Sequence, residues 1–316
     1  MQRLRRILKE DVRGFIFDFK YHFAYTFFII ILTSLTTSYI LSSRIQKDIK
    51  KITPLGQTQT NLSGDEEFYT ERGSPYDNRT ITGSESAKVV FHGPRDKKKI
   101  ALTFDAEMTD GMRANVVSGR VKSSYDKRII DTLNQTNTKA TLFLTGMWIE
   151  LYTNEVKEFS KNSLLELGSH SYTDSSYHGF CYGLKQLPNT VKVEDIGATE
   201  KLLRKHAGID NRLFRFPGGC YSPDDVKLVN EANDTVVHWD VSGADGFNKS
   251  VKQIEKNVID NTQNGSIIIL HMNGEPTAPK TAEALPAIIS SLKAKGYEFV
   301  KVSELLNLPL PLSASF

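Results

Sequence analysis

The chain has 316 residues and a formal net charge of +3, too balanced for a polybasic nucleic-acid binder. With 39% hydrophobic and 24% charged residues it can build a sizeable core, and it lies far from the composition of disordered chains. Two cysteines exclude a disulfide-rich mini-scaffold and any four-thiolate zinc or iron–sulfur centre, so a metal would have to be held by His, Asp or Glu.

Residues 1–20 form a basic leader carrying Arg3, Arg5, Arg6, Lys9, Arg13 and Lys20. Residues 21–43 contain no Asp, Glu, Lys or Arg, and their centre, Phe27, Phe28, Ile29, Ile30, Ile31 and Leu32, is continuously apolar. A helix of that length spans about 34 Å, enough for a hydrocarbon layer of roughly 30 Å. We therefore expect one N-terminal transmembrane helix. A cleaved signal peptide competes with this reading, but the charged leader is long and no small-x-small cleavage site follows. Arg44, Lys47, Lys50 and Lys51 follow the span, so the excess of basic residues before it favours a cytoplasmic N-terminus and places the bulk of the chain outside. Residues 44–97 are polar and turn-rich and read as a stalk. As a flexible coil such a stalk reaches roughly 40 Å, which suits a tethered domain working on an extended polymer.

From residue 98 to residue 308 short apolar runs alternate with helical patterns, and residues 309–316 are a tail. Strands are expected at 100–105, 140–145, 164–168, 213–216, 236–241, 267–271 and 299–302. Helices are expected at 126–135, 193–206, 223–231, 251–262 and 281–295, with Gly208, Gly265 and Gly296 as stops and residues 107–123 as a long loop. Strands joined by crossover helices imply an α/β domain with a parallel sheet, open or closed into an irregular barrel, whose chemistry belongs at the carboxyl ends of the strands.

Those ends are rich in reactive side chains. The first strand runs into Thr103-Phe104-Asp105-Ala106-Glu107, the third into His170-Ser171-Tyr172-Thr173-Asp174, and the fourth into Arg215-Phe216-Pro217. The fifth is followed by Asp245 and the sixth ends in Leu270-His271. His178, His206 and His238 lack such a context and read as structural or surface residues.

In these motifs the domain resembles the polysaccharide deacetylases of carbohydrate esterase family four, over about residues 100–306. T-F-D, H-S, R-F-P, the second Asp of the fourth motif and L-H stand in the family's order. The resemblance implies a distorted (β/α)7 barrel that removes acetyl groups from N-acetylated glycans with a divalent metal, usually zinc. The family's Asp-His-His ligand set is altered here, with Ala106 for the second Asp of the first motif and Asp174 for the second His of the second.

Side chains alternate along a strand, so Asp105 and Glu107 share a face while Ala106 points away, and Glu107 becomes a candidate ligand. His170 and Asp174, four apart, would share a face on one helical turn. Asp174 is equally open to capping the next helix. A Glu107, His170 and Asp174 set widens the expected metal from zinc to manganese or cobalt.

The resemblance further implies Asp105 as general base with Arg215 tuning it, and His271 as general acid with Asp245 tuning it. It puts Leu270 in a pocket for the acetate methyl, with Phe247 compensating for the family's Trp, replaced here by Gly246. Tyr221 would touch substrate, and a backbone N–H near Cys220 or Tyr221 would complete an oxyanion site. Cys181 and Cys220 follow the second and third motifs, so a disulfide between them is expected outside the cytoplasm, with free buried thiols as the other reading. The expected function is a metal-dependent N-deacetylase of an extracytoplasmic glycan, such as peptidoglycan or a chitin-like polymer. Its partners are that polysaccharide and the membrane, with no nucleic acid. A catalytically inactive glycan-binding or scaffold protein on the same fold is the alternative.

Overall fold

The apolar runs between residues 98 and 308 enter a single parallel sheet in a computed structural model that describes residues 88–210 and 212–308. The leader, the expected membrane span, most of the stalk and the tail lie outside the described residues. Among the described residues no helix is long and apolar enough to cross a membrane.

The strands are β1 (Val89–Val90), β2 (Lys99–Ala106), β3 (Ala140–Leu144), β4 (Leu165–Ser169), β5 (Leu213–Phe214), β6 (Thr235–Val237), β7 (Val241–Ser242), β8 (Ile267–His271) and β9 (Glu298–Val300). Their order is β1-β6-β5-β4-β3-β2-β8-β7, and β9 joins the first half of β2. Ala101 pairs with both Ile267 of β8 and Val300 of β9, so β9 shares the edge of β2 that β3 uses further along. Asp105 is in register with His271 on one side and Phe143 on the other, which sets the expected base and acid on adjacent strands.

The helices are α1 (Asp110–Val117), α2 (Lys127–Gln135), α3 (Gly146–Leu151), α4 (Thr153–Phe159), α5 (Lys192–Ala207), α6 (Pro223–Glu231), α7 (Val251–Asn261), α8 (Thr281–Ala294) and α9 (Val302–Leu306). The period-2 pattern of β2 decides the layers. Ile100, Leu102, Phe104 and Ala106 face the helices and pack with Ile129 and Leu133 of α2 and Leu285 and Ile288 of α8. Ala101 points the other way into a smaller cluster with Phe143, Leu213, Val237 and Ile267, which Val302 and Leu305 of α9 complete at the far end from the site. Each fully buried Leu, Ile or Phe contributes about 1.5–3 kcal/mol.

The hydrogen-bonded path is open, a curled half-barrel and not the closed ladder that a barrel would have. Arg215, just after β5, measures the curl. It reaches Asp105 on β2, three strands away, at 2.7 Å. A flat sheet would separate those strands by about 14 Å and hold their side chains roughly perpendicular to its plane, so the two would stand parallel and not meet. The contact therefore requires the sheet to wrap around its inner face.

Several expected boundaries move for identifiable reasons. The strand expected at 236–241 is two strands, because the chain changes partner at Trp239: the His238 N–H still donates to the Val90 carbonyl of β1 at 2.7 Å, whereas the Asp240 N–H donates to the Ile267 carbonyl of β8 at 3.2 Å. The Asp240 carboxylate also accepts the Ile267 N–H at 2.8 Å and pairs with Arg95 at 2.8 Å, and Val241 pairs against β8. β5 stops at Phe214 because the chain turns at Pro217, which has no N–H to donate. The strand expected at 299–302 ends at Val300, since Val302 already begins α9. The expected loop 107–123 contains α1, capped by Thr109; no residue of this helix is buried, so it carries no apolar period to read.

Asp234, at the entry to β6, is 4% exposed. Burial, a hydrogen bond with Glu200 and the Glu200 charge push its pKa up to about 9 from 3.8. A raised folded-state pKa means stability that is complete below the unfolded value and is lost as pH rises through the folded one. Thermal unfolding across pH 5–9 should therefore show a falling Tm that Asp234→Asn flattens, with the variant the more stable protein near pH 9. Parallel Tm profiles for the two proteins would contradict the assignment.

Candidate active site

The inner face of β2 presents Thr103 and Asp105 in turn. Arg215 Nη1 donates to Asp105 Oδ1 at 2.7 Å and to Thr103 Oγ1 at 2.8 Å. Its Nε and Nη2 donate to the carbonyls of Val237 and His238 at 3.2 and 3.3 Å. The guanidinium carbon lies 4.0 Å from the centre of the Phe143 ring. Burial draws the Arg215 pKa below the ordinary arginine value, and the Asp105 charge opposes this. One oxygen of Asp105 is thus fixed; the other lies 3.6 Å from His170 Nε2.

His170 Nδ1 is 2.9 Å from the carbonyl of Arg215, which can only accept, so this nitrogen carries the hydrogen and Nε2 presents its lone pair. Nε2 is 3.9 Å from Asp174 Oδ1, and both atoms are buried without a hydrogen-bond partner. Glu107 supplies a third atom, all three within 4.8 Å of one another. Burial lowers the His170 pKa and keeps the ring neutral, as a ligand must be. Burial and the charges of Glu107 and Asp105 push the Asp174 pKa well up. Two orphaned buried atoms and a carboxyl strained by its like-charged neighbours fit a cation held by two oxygens and one nitrogen.

The juxtaposition of His170 and Asp174 does not come from a helical turn. Ser171 and Asp174 have φ of 63° and 51°, and the segment is a loop. Asp174 does not cap the next helix, which begins at Lys192. The loop is shaped instead by Asp195 of α5, which accepts from the Tyr172 N–H at 3.1 Å, Thr173 Oγ1 at 3.3 Å and the Tyr177 hydroxyl at 2.7 Å. Thr199 Oγ1 donates to the Ser171 carbonyl at 2.7 Å. Sequence reasoning missed both, because an acid in a first helical turn is explained by the helix alone.

His271 Nδ1 lies 2.9 Å from Asp245 Oδ1, and the other Asp245 oxygen accepts the His271 N–H at 2.8 Å and the Thr281 hydroxyl at 2.5 Å. On the far side of the ring, Nε2 meets Glu107 Oε1 at 3.3 Å. Burial works against an imidazolium, but Asp245 and Glu107 outweigh it, and the His271 pKa rises well above the ordinary histidine value. His271 and Glu107 remain 15% and 20% exposed, whereas Asp105, His170 and Asp174 are at most 3% exposed, so a substrate meets His271 first. Asn273, also unforeseen, clasps the Glu107 backbone: its Oδ1 accepts the N–H at 3.1 Å and its Nδ2 donates to the carbonyl at 2.7 Å.

The structure brings Asp105, Glu107, His170, Asp174, Arg215, Asp245 and His271 together, and of the three expected substrate contacts it turns Leu270 away. Leu270 is fully buried in the helix-side core, since alternation along β8 turns it away from the face that bears His271. Phe247 is 73% exposed and packs against Tyr182, so it does not fill the space beside Gly246. Tyr221 stacks on Phe216 with centroids 5.0 Å apart. The Cys220 N–H donates to the Pro217 carbonyl at 3.2 Å and is already engaged. Cys181 and Cys220 form the expected disulfide.

Comparison with known proteins gives the family of the chain. The family model for polysaccharide deacetylase matches residues 92–237. A peptidoglycan-N-acetylglucosamine deacetylase of Bacillus cereus is 30% identical over 224 residues, 69% of this chain and 72% of that protein. Among solved structures, a peptidoglycan N-acetylglucosamine deacetylase in complex with 4-naphthalen-1-yl-N-oxidanyl-benzamide superposes with a TM-score of 0.59 at 28% identity, covering 71% of this chain and 95% of the other. A family-four carbohydrate esterase pseudoenzyme from Bacillus anthracis shares the fold, with a TM-score of 0.57 at 23% identity over 70% and 69% of the two chains. The chain belongs to the polysaccharide deacetylase family, carbohydrate esterase family four.

A cation at Glu107, His170 and Asp174 should stabilise the native state by mass action, by about 2.7 kcal/mol at a hundredfold excess over Kd. For a domain of this size that is a Tm rise of roughly 5–10 °C. Thermal unfolding after chelation and then with zinc, manganese or cobalt should show the rise, and His170→Ala and Asp174→Asn should each abolish most of it. Equal rises in both variants would place the cation elsewhere.

Proposed function

We propose that the protein is a cation-dependent N-deacetylase of an N-acetylated glycan, with peptidoglycan the favoured polymer because the Bacillus cereus relative is named for that activity. The observation that carries this reading is the register of Asp105 with His271, beside the unpartnered His170 and Asp174 atoms. The proposal includes an uncleaved helix over residues 21–43 that holds the domain outside the cytoplasmic membrane, supported by the uncharged span and the basic leader.

Glu107, His170 and Asp174 would hold the cation, whose Lewis acidity polarises a carbonyl and acidifies water. Asp105, with Oδ1 immobilised by Arg215, uses Oδ2 to take a proton from the attacking water. His271 holds a proton at Nε2 because Asp245 stabilises its charged form through Nδ1, and it gives that proton to the departing nitrogen as the C–N bond breaks. Water thus adds to the acetyl carbon and the products are acetate and an amine. Glu107 also contacts His271 Nε2, so the same side chain that would hold the cation lies beside the proton donor.

Asp105→Asn or His271→Ala should each lower kcat by roughly 10²- to 10⁴-fold with the fold intact. Asp174→His, which restores the family's residue, should keep or strengthen zinc binding. The enzyme reading is lost if wild-type protein, supplied in turn with zinc, manganese and cobalt, binds none and releases no acetate from N-acetylglucosamine oligomers or peptidoglycan. A glycan-binding role would then replace it.

Membrane topology has a separate check. Protease treatment of wall-stripped cells should remove the domain. Full protection would reverse the topology, and release of a shortened protein into the medium would establish a cleaved signal peptide.

A further inference from the structure

Three large apolar side chains stand exposed close together on the rim, Phe180 at 86%, Tyr182 at 60% and Phe247 at 73%. Tyr182 and Phe247 face one another with ring centroids 5.2 Å apart and planes at 45°. They come from segments 65 residues apart in the chain, and the fold fixes both. Tyr182 lies in a turn closed by the Leu184 N–H donating to the Cys181 carbonyl at 2.8 Å and anchored by the disulfide to Cys220. Gly218 supports it from below: a Cβ there would lie 2.4 Å from Cys181 Sγ and 3.2 Å from the Tyr182 ring. Phe247 sits on a turn closed by its own N–H donating to the Ala244 carbonyl at 3.1 Å, and the same turn carries Asp245, the partner of His271. Between them Gly246 opens directly onto the site, since a Cβ there would be 3.7 Å from His271 Cε1.

Two exposed rings in contact with one another offer an apolar patch at the rim. Two rings offer far less than the roughly 800 Å² per partner that a stable protein interface needs. They do match the apolar C–H face of one pyranose ring, whose hydroxyl edge stays hydrated while the face stacks. We propose that Tyr182 and Phe247 form a stacking platform for a sugar residue neighbouring the one placed at His271, and that the Cys181–Cys220 bridge presents it. This inference rests on the glycan reading of the site and specifies how the polymer is held beyond the reacting unit. It also explains why Phe247, two residues from Asp245, turns outward toward Tyr182 and away from the space beside Gly246.

The test is calorimetric binding of N-acetylglucosamine and its dimer and tetramer to the full chain, alongside acetate release. Tyr182→Ala/Phe247→Ala should weaken tetramer binding by about tenfold and leave the monosaccharide unaffected, while Phe247→Trp should retain tetramer binding. Reduction of the disulfide should act like the double alanine change. Equal tetramer affinity in wild type and the double variant overturns the platform, even with deacetylation intact. Tetramer binding that depends on the two rings without acetate release supports the platform and refutes the enzyme reading. No oligosaccharide binding by wild type overturns the platform.

Discussion

The ion pair between Arg215 and Asp105 sets the rest of the site. It spans the inner face of a curled sheet, and the side-chain hydrogen bonds of the guanidinium go to two separate parts of that curl: Asp105 and Thr103 on β2 and the carbonyls of Val237 and His238 at the end of β6. Its backbone carbonyl receives His170 Nδ1, so one residue orients Asp105 with its side chain and fixes the His170 tautomer with its main chain. A buried pair of this kind adds little net stability, yet loss of one partner costs about 3–5 kcal/mol because the other charge is stranded. Its role is therefore positional.

Charge balance then ties the two halves of the site together. Asp105, Glu107, Asp174 and Asp245 face Arg215 and His271, a deficit of two positive charges if all four acids are ionised. The molecule meets the deficit by raising the Asp174 pKa and by letting Glu107 lean on His271. A divalent ion held by Glu107, His170 and Asp174 would supply the missing charge. Glu107 thus lies between the His170 and Asp174 pair and His271, and its backbone is clasped there by Asn273.

Strand-end chemistry was legible because alternation is a property of the backbone: residues 103, 105 and 107 had to share a face, and His271 had to be on the inner side if Asp105 was. The same rule, applied to β8, removes Leu270 from the pocket that family resemblance assigned to it. Contacts that depend on non-repetitive backbone were not legible. Nothing local announces left-handed conformations at Ser171 and Asp174, the change of strand partner between His238 and Asp240, or the reach of Asp195 and Asn273 across the fold. Helix α1 escaped because it buries nothing, and α3 and α4 are too short to establish a period.

The substitution at residue 106 follows from the same alternation. Ala106 is fully buried on the helix side of β2 with Phe104 and Met108, and its carbonyl accepts the Thr145 N–H and hydroxyl at 3.2 and 3.1 Å. A carboxylate at this position would enter an apolar layer and cost several kcal/mol unless the strand end twisted to release it. Glu107 already faces the inner side, and its extra methylene lets a residue one step further along the chain approach His170 and Asp174. An acid displaced by one position thus occupies the pocket while position 106 joins the core.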